Sequence, residues 1–326
     1  MKYIHTKYIV IVFIFFLVSC KKEHKTSIKN TIEHKTELGK KEIVKTDSTD
    51  NAKPSLKKEN QLKDSLVKRK VKKPIPRKAE SKKPIISKSA KTYRFRKYDH
   101  VTNFYEKLSV DATQVCMDQN VPPAALLAVA GLESGWNSGY IGQITGNILS
   151  LGASKRRGDA KLPGLTLPRL KKTKKIVFDS LEIATYNKNT YYMERRPSSL
   201  KKDYRPKRWA GTQYNLGYFE HHPEEKAKAH AQNIEDFVTV FISRTSKISA
   251  YRNTRAKMDA LVKKHGKDIL LKETTARQFI HGIGGKKNSY NYRETWPIKV
   301  INIMRKAGLV SLTTDLYSGK SFKESW

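Results

Sequence analysis

The chain has 326 residues and carries 66 Lys/Arg against 30 Asp/Glu, a formal net charge of +36. Such a charge points toward anionic partners, yet no zinc-ligand spacing, aromatic RNA-binding pattern or clear helix-turn-helix accompanies it, and nucleic acid is not an expected partner. Two cysteines, Cys20 and Cys116, exclude a disulfide framework.

The chain opens with Lys2 and Lys7, an apolar run from Ile9 to Val18, and Leu17-Val-Ser-Cys20. The run is too short to span a bilayer comfortably and is expected to be an export signal over residues 1–19. The box ending in Cys20 resembles that of bacterial lipoproteins, which implies lipidation of Cys20 and a membrane anchor. Export would separate the chain from cytoplasmic nucleic acid. Residues 20–95 follow as an expected basic tether: positions 21–95 hold 24 Lys/Arg against 9 Asp/Glu, and Lys-Lys-Pro occurs at 72–74 and 82–84. Such a segment buries too little apolar surface to offset its ordering entropy. Its charge suits anionic lipid headgroups or acidic wall polymers.

No aromatic residue occurs between Cys20 and Tyr93; from there aromatics return, and residues 96–311 are long enough for one sizeable domain. Phe104, Leu108, Ala112, Val115 and Cys116 recur at helical spacing, with Cys116 read as a buried apolar residue. Next comes Val121-Pro-Pro-Ala-Ala-Leu-Leu-Ala-Val-Ala-Gly-Leu-Glu133-Ser-Gly-Trp136. Pro122 and Pro123 suit a helix start, and Ala124 to Leu132 contains no polar residue, so the helix is expected to be buried nearly all round. Glu133 closes it. Desolvation and the negative end of the helix dipole both disfavour its charge, so its pKa is expected to be raised, as a general acid near neutral pH requires.

The region 142–225 differs, being rich in Gly, Pro, Lys, Tyr and Asn. Ile176–Phe178 and Ile183–Tyr186 are its strand candidates. Its densest aromatic stretch, Asp203 to Phe219, contains Trp209, Tyr214 and Tyr218, whose rings suit sugar stacking or packing within the lobe. His221, His222 and His230 have no acidic pair or Cys to complete a site, so no metal is expected, and Gly282-Ile-Gly-Gly285 lacks the setting of a phosphate loop. Helices are expected again over Ala227–Ser243, Tyr251–His265, Thr274–His281 and Trp296–Ala307, and residues 312–326 as a loosely held C-terminal tail. The expected fold class is mainly α: a helical domain with an inserted loop/strand lobe.

Taken together, Val121 to Trp136, the turn Gly146-Asn147-Ile-Leu-Ser150 beginning near the fourteenth residue after Glu133, Ser249 to Arg255, and Tyr290-Asn-Tyr-Arg-Glu-Thr-Trp296-Pro-Ile-Lys-Val300 resemble the signature of bacterial glucosaminidase domains. These are the family-73 glycoside hydrolases and the related Bax-like group. The resemblance implies a lysozyme-like helical fold and hydrolysis of the β-1,4 bond after N-acetylglucosamine in peptidoglycan, without a cofactor. It implies Glu133 as general acid and Tyr290 as the active-site tyrosine, with Tyr292 as the other possible counterpart. Trp136, Asn147, Trp209 and Tyr218 are then the expected substrate-binding residues. Leu149-Ser150 stands where the family has Phe-Gly. Asp179, Glu182, Glu194, Asp203 and Glu220 are candidates for a second catalytic group, and the substrate's own acetamido group is another. A muramidase, a lytic transglycosylase and a non-catalytic wall-binding protein are the rival readings. The expected location is the cell envelope, an outer-membrane lipoprotein facing the periplasm.

Overall fold

Helix α2 (Pro123–Ser134) lies at the centre of the fold, and its composition explains why. Every residue from Pro123 to Gly131 is buried, so the helix has no polar face to turn to water and must be surrounded by others. The computed structural model describes residues 93–326; the expected signal, Cys20 and nearly all of the tether lie outside them. Around α2 pack α1 (Asp99–Asp118), and, later in the chain, α8 (Glu273–Ile283), α9 (Trp296–Ala307) and α10 (Leu309–Tyr317). One apolar cluster runs through all of these, including Tyr105, Leu126, Phe237, Phe279, Val300 and Leu312. Cys116 is fully buried within it and is free, as its apolar helix position predicts.

Between α2 and the later helices the chain builds a second lobe. It comprises α3 (Tyr140–Thr145), β1 (Leu165–Leu170), α4 (Ser180–Ala184), β2 (Tyr191–Arg196) and α5 (Tyr218–His221). The strands form an antiparallel ribbon running from the pair Leu165–Arg196 to Leu170–Tyr191. Ile144, Leu162, Leu165 and Leu167 form its small core. The body resumes with α6 (Pro223–Asp236), a π-helical turn at Phe237–Phe241, and α7 (Ser249–His265). The fold class is thus mainly α with an inserted loop-and-strand lobe, as expected.

Two expectations are corrected. The strands are not Ile176–Phe178 and Ile183–Tyr186: Ile176 forms an isolated bridge to Arg169, and Ile183 lies in α4, whose N-cap Asp179 accepts from Leu181 N–H at 2.7 Å. The capping carboxylate decided the second case over β propensity. Nor are residues 312–326 loosely held. Leu312 is fully buried, and the chain closes with α11 (Phe322–Ser325), started by a Ser321–Glu324 capping box. Trp326 stacks on Phe322 at 5.2 Å, packs against Tyr105 at 5.6 Å, and donates from Nε1 to Thr102 at 3.0 Å. The Arg96 guanidinium lies 4.4 Å over the same indole. The folded unit therefore includes its last residue.

Candidate active site

Gly135 ends α2 in the left-handed conformation (φ 57°), the C-cap its sequence predicts. Trp136 and Asn137 continue left-handed, at φ 52° and 61°, so the chain turns away sharply just after Glu133. Ser134 Oγ accepts from Asn137 N–H at 2.9 Å and donates to the Ala130 carbonyl at 2.7 Å, which pins the turn to the helix. Glu133 is left half-buried at the helix end.

Its carboxylate oxygen Oε1 accepts a hydrogen bond from the indole Nε1 of Trp296 at 2.8 Å. Trp296 is 3 % exposed and opens α9, ahead of Pro297. It reaches Glu133 because Gly284 has no side chain: a Cβ there would lie 2.3 Å from the indole ring. Burial raises the Glu133 pKa, and this outweighs the Trp296 hydrogen bond and the Lys201 ammonium, which both favour the ionised form. The carboxyl is therefore held toward its protonated form without losing its orientation.

Two further groups couple to Glu133, and one turn holds both. Tyr290 packs edge-on to Phe237 and at 5.5 Å from Trp296, and its hydroxyl donates to the Leu149 carbonyl. Burial, then the Glu133 charge, hold that hydroxyl well above its ordinary pKa, so it remains a donor. Lys201 donates from Nζ to the next carbonyl, Ser150, at 2.7 Å. Burial lowers its pKa while Glu133 opposes the shift.

The turn itself is built by Asn147, which is 2 % exposed. Its Nδ2 donates to the carbonyls of Leu151 and Lys202, both at 2.9 Å. Its Oδ1 accepts from Leu151 N–H at 2.9 Å and Asn233 Nδ2 at 3.2 Å. All four hydrogen-bonding positions of the amide are in use. Asn147 therefore shapes the surface that presents Leu149 and Ser150, and its side chain has no free group to offer a substrate.

The other expected site residues lie apart from this cluster. Tyr292 is 70 % exposed on the loop, which leaves Tyr290 as the tyrosine coupled to Glu133. Trp136 turns to α1, donating to Tyr105 Oη at 3.2 Å and meeting Phe95 edge-on. Within the inserted lobe, Arg208 covers Trp209 at 4.6 Å, and Tyr218 stacks on His222 at 4.3 Å.

The candidate second carboxylates are held by other partners. Asp203 is fully buried with Arg205 at 2.7 Å, and Glu194 pairs with Arg169 and Arg196, each at 2.9 Å. Glu182 accepts from Tyr186 at 3.2 Å, Asp179 caps α4, and Glu220 is exposed on α5. The ionisable group acting on Glu133 is Lys201, and Glu133 in turn acts on the Tyr290 hydroxyl.

Trp296 and Lys201 are the site residues that local sequence does not single out. Trp296 had a partial signal, as an aromatic residue at a Pro-marked helix start in the segment beginning at Tyr290. Lys201 had none, since one lysine among 66 basic residues carries no mark.

No family model and no curated protein matches the chain. Among solved structures, the chain is similar to the catalytic domain of the autolysin Auto from Listeria monocytogenes, with 15% sequence identity and a TM-score of 0.34, over 65% of this chain and 87% of that one.

Proposed function

We propose that this chain is a peptidoglycan hydrolase, an endo-acting β-N-acetylglucosaminidase with a lysozyme-like helical body that cleaves the β-1,4 bond after N-acetylglucosamine. The observation that carries the reading is the state of Glu133: a half-buried carboxyl, raised in pKa, oriented by the Trp296 indole at 2.8 Å. Glycoside cleavage needs such a group to give its proton to the leaving oxygen.

The tyrosine and lysine beside it suit one version of that chemistry. As the glycosidic bond breaks, positive charge grows at the anomeric carbon. The acetamido oxygen of the same sugar attacks that carbon and forms a cyclic oxazolinium, while the Glu133 proton passes to the glycosidic oxygen, which leaves as the hydroxyl of the departing sugar. Water then opens the ring, and the Glu133 carboxylate takes up its proton, restoring the starting acid. In this scheme the Tyr290 hydroxyl positions the acetamido group, and a second catalytic carboxylate is not needed.

The test is digestion of purified peptidoglycan by the full-length chain beside Glu133→Gln, with the released ends identified by mass spectrometry. Reducing N-acetylglucosamine ends that vanish in the variant support the reading. Muramic acid ends identify a muramidase, and anhydromuramic ends a lytic transglycosylase. Tight sedimentation with the polymer and no release identifies a wall-binding protein. We further place the chain in the envelope through lipid on Cys20, facing the periplasm from the outer membrane. Cys20→Ser should then move it from the membrane fraction to the soluble one.

A further inference from the structure

A cavity of about 520 Å³ lies between α1 and α6 against the turn that follows Glu133. That volume falls in the range of about 300–1,000 Å³ typical of small-molecule sites. Its wall is largely apolar, with Phe104, Leu108 and the Trp136 ring on one side and Pro223 and Ala227 on the other. Lys107 from α1 and Lys226 from α6 add two ammonium groups, and no acidic side chain lines it. Neither lysine forms a salt bridge within 4.0 Å among the described residues.

His230, one turn along α6 from Lys226, also lines the cavity. It is 7 % exposed, and its Nε2 has no hydrogen-bond partner. Asn137 Oδ1, in the turn itself, is likewise buried without a partner. Asn137 Oδ1 packs against Gly142 of α3, away from the cavity, but buried polar atoms in native folds are nearly always satisfied, so the orphaned His230 nitrogen in the cavity wall points to a bound group. Burial, then Lys226 and Lys107, hold His230 down to about 3, and burial with Lys107 lowers Lys226 against the opposing charge of Glu220. The two lysines and the imidazole thus crowd one another around a space with no acidic side chain in its wall.

We propose that this cavity binds a small carboxylate-bearing ligand, its anion between Lys107 and Lys226 beside His230 and its apolar face on the Trp136 and Phe104 rings. An anion relieves the repulsion between the two ammonium groups and accepts charge-assisted hydrogen bonds from them. The neutral imidazole, as its Nε2–H tautomer, supplies a further donor. A bare inorganic anion would leave the aromatic wall unused. The site is distinct from the Glu133 cluster and does not rest on the hydrolase reading.

The test is direct binding to the full-length chain, followed by calorimetry at low salt. The probes are N-acetylmuramic acid, its uncharged counterpart N-acetylglucosamine, and inorganic phosphate. N-acetylmuramic acid should bind, with the neutral sugar and phosphate each at least about tenfold weaker. Lys226→Gln and Lys107→Gln should each weaken N-acetylmuramic acid about tenfold without lowering the melting temperature, whereas Lys201→Gln, at the other site, should leave binding unchanged. Equal binding of the two sugars overturns the proposal, as does binding by both lysine variants at native strength. Loss on Lys201→Gln alone assigns the affinity to the Glu133 cluster and also overturns it. Phosphate equal to N-acetylmuramic acid overturns the apolar half of the site. Because binding is read without turnover, failure here is separate from failure of glycan cleavage.

Discussion

Trp296 and Glu133 are 163 residues apart in sequence, and the indole N–H of one meets the carboxylate of the other at 2.8 Å. The contact orients the carboxyl but also stabilises its ionised form, so it works against the burial that raises the pKa. Burial prevails, and the balance can be moved experimentally.

Trp296→Phe keeps the aromatic bulk and removes the donor. The Glu133 pKa should rise further, because a hydrogen bond favouring the charged form is gone. Where activity requires the protonated carboxyl, the high-pH limb of kcat should move to higher pH while the looser carboxyl lowers the maximum by about tenfold or more. A pH–rate profile of the variant beside the native chain checks both effects. A limb that stays in place would show that another group sets it.

Glu133→Gln should stabilise the fold at neutral and alkaline pH. The folded-state pKa of Glu133 lies above its ordinary 4.5, so its stabilising contribution is complete below 4.5 and is lost as pH rises through the raised value. The glutamine amide oxygen would still accept from Trp296, and the amide never ionises. The melting temperature of the variant should therefore exceed that of the native chain at pH 8, with the difference shrinking as pH falls toward 4.5. Each kcal/mol of relieved cost corresponds to about 2–4 °C for a domain of this size.

Gly284→Ala would set a Cβ 2.3 Å from the Trp296 ring. Neither backbone nor buried indole can yield without a shift, which costs about 1–3 kcal/mol. The indole should move off Glu133, and glycan-cleaving activity should fall more than stability predicts. Thermal melts and digestion rates of the same preparation separate the two losses.

Asn147→Ala removes four hydrogen bonds and strands the Lys202 carbonyl and the Leu151 N–H, while the Leu151 carbonyl keeps its bond from Lys202 N–H. Unsatisfied buried groups cost about 1–3 kcal/mol each, so a loss of several kcal/mol is expected in urea melts. A variant with native stability and weakened substrate affinity would instead assign Asn147 to the substrate.

Ending the chain at residue 311 removes Leu312, Phe322 and Trp326 from a shared core. The loss should exceed about 5 kcal/mol, the scale of a whole domain's stability, and the shortened chain should fail to melt cooperatively. Calorimetry on the two chains decides this.

Much of the body was legible because its signals are local. The helix over Trp296–Ala307 has Pro at its start, Gly308 at its stop and Ile301 and Met304 on one face, and the observed element has those bounds. Residues 312–326 misled because their anchors, Leu312, Phe322 and Trp326, are spread thinly among polar residues, and Trp326 gains its meaning only from the Tyr105 and Arg96 it meets. Asn147 misled differently. A polar residue in a turn reads as an offered amide, and nothing nearby in sequence reveals that Asn233 and Lys202 occupy it.

By itself, the sequence determined that α2 must be central and that a carboxyl must end it, since nine consecutive nonpolar residues from Ala124 to Leu132 have nowhere but the interior to go. It also determined the turn after Glu133, through the left-handed freedom of Gly135. Only the tertiary structure decided what surrounds that carboxyl. Trp296, Tyr290 and Lys201 approach it from distant segments, and two of them are tied to adjacent carbonyls of a third. Periodicity reports which face of an element is buried; it carries no information about which distant side chain will stand there, because that depends on how whole elements pack.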